Sequence, residues 1–236
     1  MHLAGKNVAT RWTPSAKREI LSSRVQSTKF IANAISTTRT GPKIFVCASA
    51  IGFYGSRGEE LLIESSGPGK GFLAEVCQQW EAAAKVASPS ARVVCLRTGI
   101  VLSTKGGALA KMLPAFRLGI GGRIGSGRQW MSWISIDDEV NAIRFAIEQQ
   151  TVSGAINLVA PNPVTNAEFT ETLGRVLHRP TFLSVPAFAI RLALGEMGEA
   201  TLLASDRVLP AVLAQSGFHF QNERLESALR AELEGK

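Results

Sequence analysis

The chain has 236 residues, of which 45% are hydrophobic and 19% charged, so it holds enough apolar material for one large or two small cores. Its 26 Lys and Arg outweigh 19 Asp and Glu, giving a formal charge of +7. The basic residues are scattered and form no run of five or six, which argues against a nucleic-acid footprint and leaves a surface that suits a phosphate-bearing ligand or simple solubility.

Residues 1–5 read as the end of a strand and the turn after it. Thr13-Pro14 opens a helix over 14–36, with Thr13 as N-cap and Pro14 at the first helical position. Ile20, Leu21, Val25, Thr28, Ile31, Ala32 and Ile35 give this helix one apolar face. Gly41-Pro42 breaks the chain, and 44–47 follows as a buried strand. Ser49 falls where that strand ends. Tyr54, the one tyrosine, follows in a Tyr-Gly turn beyond it. Residues 67–71 form a loop, and apolar positions then recur at helical spacing over 72–86.

Residues 92–102 are a second buried strand, broken at Thr98-Gly99. A short helix covers 108–118, and the glycine-dense stretch 119–127 is expected to be irregular. Asp137-Asp138 begin a helix, and N-capping accounts for at least one of them. Residues 155–159 are a third strand, ended by Pro161-Asn-Pro163. Thr165-x-x-Glu168 is a capping box that opens another helix. From 185 to 236 the chain reads as helical, with one short extended piece at 218–220. Strands alternating with helices predict an α/β fold with a parallel sheet. The expected organisation is one domain over 1–160 and a small, mainly helical one over 161–236.

No apolar stretch reaches the roughly 20 residues of a membrane span, and no secretory leader pattern opens the chain. Cys47, Cys77 and Cys95 are odd in number, widely spaced and flanked by apolar residues, so they read as buried thiols in a reducing compartment. A cytoplasmic location is expected. His178 and His219 stand alone, and no metal site is expected.

Several segments, in this order, resemble one branch of the extended short-chain dehydrogenase/reductases, the "epimerase family" proteins sometimes labelled cell-division-inhibitor-like. They are His2-Leu-Ala-Gly5, Arg11-Trp12, Ser23-Arg24-Val25, Ser49-Ala-Ile-Gly-Phe-Tyr-Gly55 and Phe72-Leu-Ala-x-x-Cys77-x-x-Trp80-Glu81. Leu96-Arg-Thr-Gly-Ile-Val-Leu-Ser103, Gly125-Ser-Gly-Arg-Gln-Trp-Met-Ser-Trp-Ile134, Asp137-Asp138 and Ala160-Pro-Asn-Pro-Val-Thr-Asn166 complete the set. The resemblance implies a Rossmann-type doubly wound sheet, here incomplete, that binds NAD or NADP, plus a C-terminal domain of unknown role. Its cofactor residues would be Leu3, Ala4, Gly5 and Arg97. Such proteins begin with a strand, a glycine-rich turn and a helix that cradle the pyrophosphate. That segment does not precede Met1 in this sequence. The chain as written is therefore expected to bind the dinucleotide weakly or not at all.

The resemblance assigns chemistry to Ser49, whose hydroxyl would polarise a substrate oxygen, and sets Tyr54 beside it as a cavity-lining phenol. Both also admit structural readings, a strand-end hydrogen bond for Ser49 and a turn anchor for Tyr54. The family's Tyr-x-x-x-Lys pair belongs at the start of the 72–86 helix, where Phe72 and Val76 stand. A phenyl ring has no proton to give, so proton transfer by that pair is excluded. Glu75, Glu81 and Lys70 are expected in solvent. The family's diphosphate-gripping arginine is replaced by Met131, which argues against a nucleotide-sugar substrate. Arg128, Trp130 and Met131 then read as substrate-binding, for a small and apolar molecule, with Trp130 and Trp133 either lining it or packing in the core. Three readings remain open: an NAD(P)-dependent oxidoreductase or epimerase-like enzyme, a non-enzymatic dinucleotide-binding protein, and an inactive fragment. The expected partners are a small-molecule substrate and a second copy of the chain, with no nucleic acid and no membrane.

Overall fold

A computed structural model describes residues 1–234. The first helix, α1 (Pro14–Thr37), starts where expected. Thr13 is extended, its hydroxyl accepts from the Ala16 amide, and Ile20, Thr28, Ala32 and Ile35 form the buried face. Strand β1 (Ile44–Ala50) runs into a single 3₁₀ turn, Ile51–Tyr54. After β2 (Leu61–Leu62) come α2 (Phe72–Lys85), β3 (Arg92–Thr98) and β4 (Ile100–Leu102). Helix α3 (Gly107–Arg117) precedes β5 (Gly122–Ile124), β6 (Trp130–Met131) and β7 (Trp133–Ser135). Then follow α4 (Ile136–Glu148), β8 (Gly154–Leu158), β9 (Val164–Thr165), α5 (Asn166–Leu177) and β10 (Leu183–Val185). The chain closes with α6 (Ala187–Thr201), β11 (Arg207–Val208), α7 (Ala211–Gln215) and α8 (Leu225–Leu233).

The central sheet is parallel, in the order β1-β3-β8, and His2 adds a parallel bridge to Cys47 on the far side of β1. One face carries α1 and α2, which bury Phe45, Cys47, Trp80, Ala84, Val93 and Cys95 between them and the sheet. The other face packs Val46, Val94, Leu96 and Ile156 against Ala142 and Ala146 of α4 and Leu213 of α7. A third apolar cluster joins Leu102, Leu109 and Trp133 to Phe169 and Leu173 of α5 and Leu225 and Leu229 of α8. The three cysteines are free thiols, all buried.

Gly99 is the point where the chain changes sheet. The Gly99 amide donates to the Leu158 carbonyl, and the next amide, of Ile100, donates to Ser132. Thus β3 stays with β8 while β4 pairs with β7. A Cβ at position 99 would lie 2.6 Å from the Ser132 carbonyl oxygen, so the crossover needs glycine.

Several expectations are corrected. The first strand extends beyond residue 47 to Ala50, because its register with β3 continues to Ala50↔Thr98, and this puts Ser49 inside the strand. The stretch 119–127 is not wholly irregular, since β5 pairs in parallel with β10. No strand forms at 218–220. Phe218 instead stacks edge-on with Phe145 and Phe220, and the extended piece of this region is β11, paired with β2. Neither Asp137 nor Asp138 is the cap of α4. Ser135 is the cap, while Asp138, fully buried, accepts from the Gln221 and Asn222 amides and so ties the C-terminal region to α4.

Candidate functional site

At the C-terminal ends of β1 and β3 the register sets Ser49 beside Arg97, and α2 lays Glu81 over both. The Ser49 hydroxyl donates to Glu81 Oε1 at 2.7 Å. Arg97 donates to both Glu81 oxygens, from Nε at 2.8 Å and Nη2 at 2.9 Å. Its remaining arm, Nη1, reaches the Tyr54 hydroxyl at 3.0 Å and the Glu64 carbonyl at 3.3 Å. Tyr54 in turn donates to Asn157 Oδ1 at 2.7 Å, and Glu64 Oε1 accepts from the Asn157 and Val212 amides. The Arg97 guanidinium also lies 3.4 Å from the Phe53 ring centroid.

This network is enclosed. Ser49, Glu81 and Arg97 are about 5% exposed and Tyr54 not at all. Burial works against the Arg97 charge, but the hydrogen bonds and charge of Glu81 outweigh it and raise the guanidinium's pKa. Burial raises the Tyr54 pKa as well, against the opposing pull of Arg97. Glu81 is therefore not in solvent, as expected from the sequence, but at the centre of a buried ion pair. Tyr54 is not a cavity-lining phenol, and it anchors the turn to β8. The expectation for Glu75 and Lys70 stands, since both are exposed.

Glu81, Glu64 and Asn157 were missed in the sequence. Glu81 had a signal, because it shares a helical stripe with Cys77, Trp80 and Ala84, all buried.

The start of α2 holds a more open cluster. Phe72, the first residue of α2, meets the Trp12 ring edge-on at 4.9 Å. Lys17 of α1 places Nζ 5.0 Å from the Phe72 centroid and 5.9 Å from that of Trp12. The same ammonium pairs with Glu196 of α6 at 2.5 Å. Val76 is buried inside α2 and takes no part. Beside β1, Leu3, Ala4 and Gly5 are exposed. The Arg24 guanidinium is pressed against Gly5, bonded to the Lys6 and Ile20 carbonyls and stacked 5.1 Å from the Trp80 centroid.

Of the three expected substrate residues Arg128 precedes β6 and Trp130 and Met131 form it, and they differ in exposure. Arg128 is exposed, and its nearest acid is Glu59 at 3.9 Å. Trp130 is half-buried with the Arg207 guanidinium 4.2 Å from its ring centroid, and Met131 Sδ accepts from Asn166 Nδ2. Trp133 is a core residue, fully buried. Two further carboxyls are pushed up to about 7 by burial, Glu139, which accepts from the Thr98 hydroxyl, and Asp206. Among the described residues no group of His, Cys, Asp and Glu is arranged to hold a metal, and no helix is long and apolar enough to cross a membrane.

Residues 1–158 match the NAD dependent epimerase/dehydratase family, and residues 185–232 match a domain of unknown function. The chain is 44% identical over 231 residues to an epimerase family protein of Mycobacterium leprae, covering 97% of this chain and 75% of that one. It is 39% identical to an epimerase family protein of Bacillus subtilis, covering 97% and 76%. The crystal structure of a human epimerase family protein with NADPH superimposes with a TM-score of 0.95 at 35% identity, covering 99% of this chain and 81% of that one. A nucleoside-diphosphate sugar epimerase from Corynebacterium glutamicum gives 0.77 at 38% identity, covering 98% and 45%. The chain belongs to the NAD dependent epimerase/dehydratase family, as the ordered motifs implied, and its fold is the Rossmann-type α/β fold of these neighbours.

Proposed function

We propose that this protein is an NADP(H)-binding oxidoreductase of the epimerase family, acting on a small, apolar carbonyl compound at the C-terminal edge of β1. The observation that supports it is the match to a relative solved with NADPH, which extends over 99% of this chain.

The residues at that edge fit a dinucleotide. Leu3, Ala4 and Gly5 present an exposed surface without charged side chains, and Arg24 sets a half-buried cation directly behind Gly5. That guanidinium is bonded to carbonyl oxygens, so an anionic phosphate would be a better partner than those it has. When bound, the dinucleotide supplies the hydride. Leu3, Ala4 and Gly5 would hold it beside the strand end. Arg97 supports it from behind, by fixing Glu81, Ser49 and Tyr54 in one arrangement. Ser49 donates its hydrogen bond to Glu81 and is buried with it, so it braces the strand end from within. Arg128, Trp130 and Met131 form the far wall, and Met131 offers no grip on a diphosphate.

A second reading, dinucleotide binding without turnover, is favoured by Phe72, which has no proton to transfer. In either reading the protein works in the cytoplasm, as a homodimer.

Calorimetric titration with NADPH and NADH, followed by NADPH oxidation with a panel of carbonyl compounds, tests both. Saturable NADPH binding with turnover supports the first reading, and binding with no turnover supports the second. No binding of either dinucleotide, the outcome expected from the sequence for the chain as written, overturns both and leaves the third reading, a chain without activity of its own.

A further inference from the structure

Phe72 raises a chemical question that the fold does not answer by itself. A carbonyl that receives hydride at carbon must receive a proton at oxygen, and Phe72 has none to give. The buried polar residues nearby are committed elsewhere: the Ser49 proton goes to Glu81, and Tyr54 is closed off and donates to Asn157.

Lys17 stands over Phe72. Its ammonium lies 5.0 Å from the centre of that ring and 5.9 Å from the centre of Trp12, so two aromatic faces hold it in place. Its side chain keeps 30% of its exposure, which leaves it open to a small molecule. Its carboxylate partner, Glu196, belongs to another part of the fold and is half exposed. Glu196 directly follows Gly195, where α6 breaks its helical path with φ of 59° and ψ of −140°. A carboxylate at such a break can leave the ammonium through rotation of its own side chain, without unwinding a helix turn. Such an exposed pair is worth no more than about 1 kcal/mol, so a ligand oxygen can displace it.

We infer that Lys17, seated on Trp12 and Phe72, is the substrate-anchoring and proton-donating residue of this site, and that the substrate it takes is a flat, apolar ketone, aldehyde or quinone. This rests on the proposed use of NADP(H). In the step, hydride passes from the dihydronicotinamide to the carbonyl carbon, the C=O π pair moves to oxygen, and the Nζ–H bond breaks to form O–H. The products are an alcohol, the oxidised dinucleotide and a neutral amine, which regains its proton from water. Trp12 and Phe72, set edge-on to each other, supply two apolar ring surfaces, and a flat molecule can lie against one of them, which gives the aromatic ring at Phe72 a use where a phenol is absent.

The test uses the full chain with 9,10-phenanthrenequinone as probe, in wild type, Lys17→Met and Lys17→Arg. Tryptophan fluorescence reads quinone binding without any dinucleotide, because Trp12 supplies one of those ring surfaces. Calorimetry with NADPH reads the cofactor site separately, and unchanged NADPH affinity shows that each variant is folded. Lys17→Met should weaken quinone binding at least tenfold. Lys17→Arg keeps the charge but gives up its proton far less readily, so it should bind the quinone and lose kcat by about 100-fold or more. Wild-type quenching that is unchanged in Lys17→Met overturns the inference, as does full turnover by Lys17→Arg. So does a wild-type protein that binds NADPH but neither binds nor reduces the quinone. Quinone binding that depends on Lys17 in a protein with no NADPH affinity would uphold the anchor, and would overturn the proton-donor role together with the proposed cofactor.

Discussion

Glu81 and Arg97 form a pair whose two side chains are each only 6% exposed, so neither charge has water to fall back on. Removing one partner of such a pair strands the other, at a cost of about 3–5 kcal/mol. Glu81→Gln is expected to lower stability by about that much in urea unfolding, with a loss of order around Tyr54, and a change below 1 kcal/mol would show the pair to be dispensable. Glu139 gives a prediction with a pH signature. Its carboxyl, ordinarily near 4.5, is pushed up to about 7 by burial, and one of its oxygens has no hydrogen-bond partner. Between those two values the folded state keeps a proton that the unfolded state has lost. Stability therefore falls as pH rises through this window, and the penalty is complete above about 7 and absent below about 4.5. Glu139→Gln keeps the Thr98 hydrogen bond and removes the charge. It should raise the Tm at pH 8 and leave it unchanged at pH 4, and an equal effect at both would show that ionisation is not the cause. At this scale the sequence singles out residues but does not encode what they touch. Ser49 and Tyr54 stand out as hydroxyls at a strand end. Their bonds to Glu81 and Asn157 join positions 32 and 103 residues apart, which no local pattern encodes.

Elements were legible where short-range signals agree. Thr13-Pro14 and Thr165-x-x-Glu168 marked two helix starts because both capping schemes operate within four residues, and the structure contains both. Boundaries set by partners were not legible. Strand β1 runs three residues longer than its apolar core because β3 continues to pair with it, and β5 exists only because β10, some 60 residues later, lies beside it. The crossover between β3 and β4 was visible as Thr98-Gly99, and its physical reason is steric. A Cβ at Gly99 would meet both the Ser132 carbonyl and Val159 Cγ1 at under 3 Å. Gly99→Ala is expected to cost about 1–3 kcal/mol by overpacking. Because β4 and β7 meet there, Trp133 fluorescence should report the disturbance, and a variant as stable as wild type would mean the two sheets can move apart freely.

Across the whole molecule three surfaces could draw copies together, and they predict different assemblies. Helices α1 and α2 cover one face of the sheet, and α1 turns Phe30 outward with 77% of its surface exposed. The segment around β10 and α6 exposes Phe182, Phe188 and Leu192. The outer edge of β1 carries only the His2 bridge among the described residues. A helix face meeting its own copy around a two-fold axis closes at two chains, whereas a sheet edge or a ribbon meeting a different surface grows without closing. A homodimer closed through α1 and α2 therefore predicts a sedimentation mass that levels off at twice 25.2 kDa as concentration rises. Burying a phenylalanine contributes about 1.5–3 kcal/mol, and two-fold symmetry counts it twice. Phe30→Ser should then weaken the dimer by at least 100-fold and shift the mass to that of one chain. If Phe188→Ser does so instead, the association runs through α6. Mass that climbs without a plateau in both variants would point to the β1 edge, and would end the case for a helix-mediated dimer.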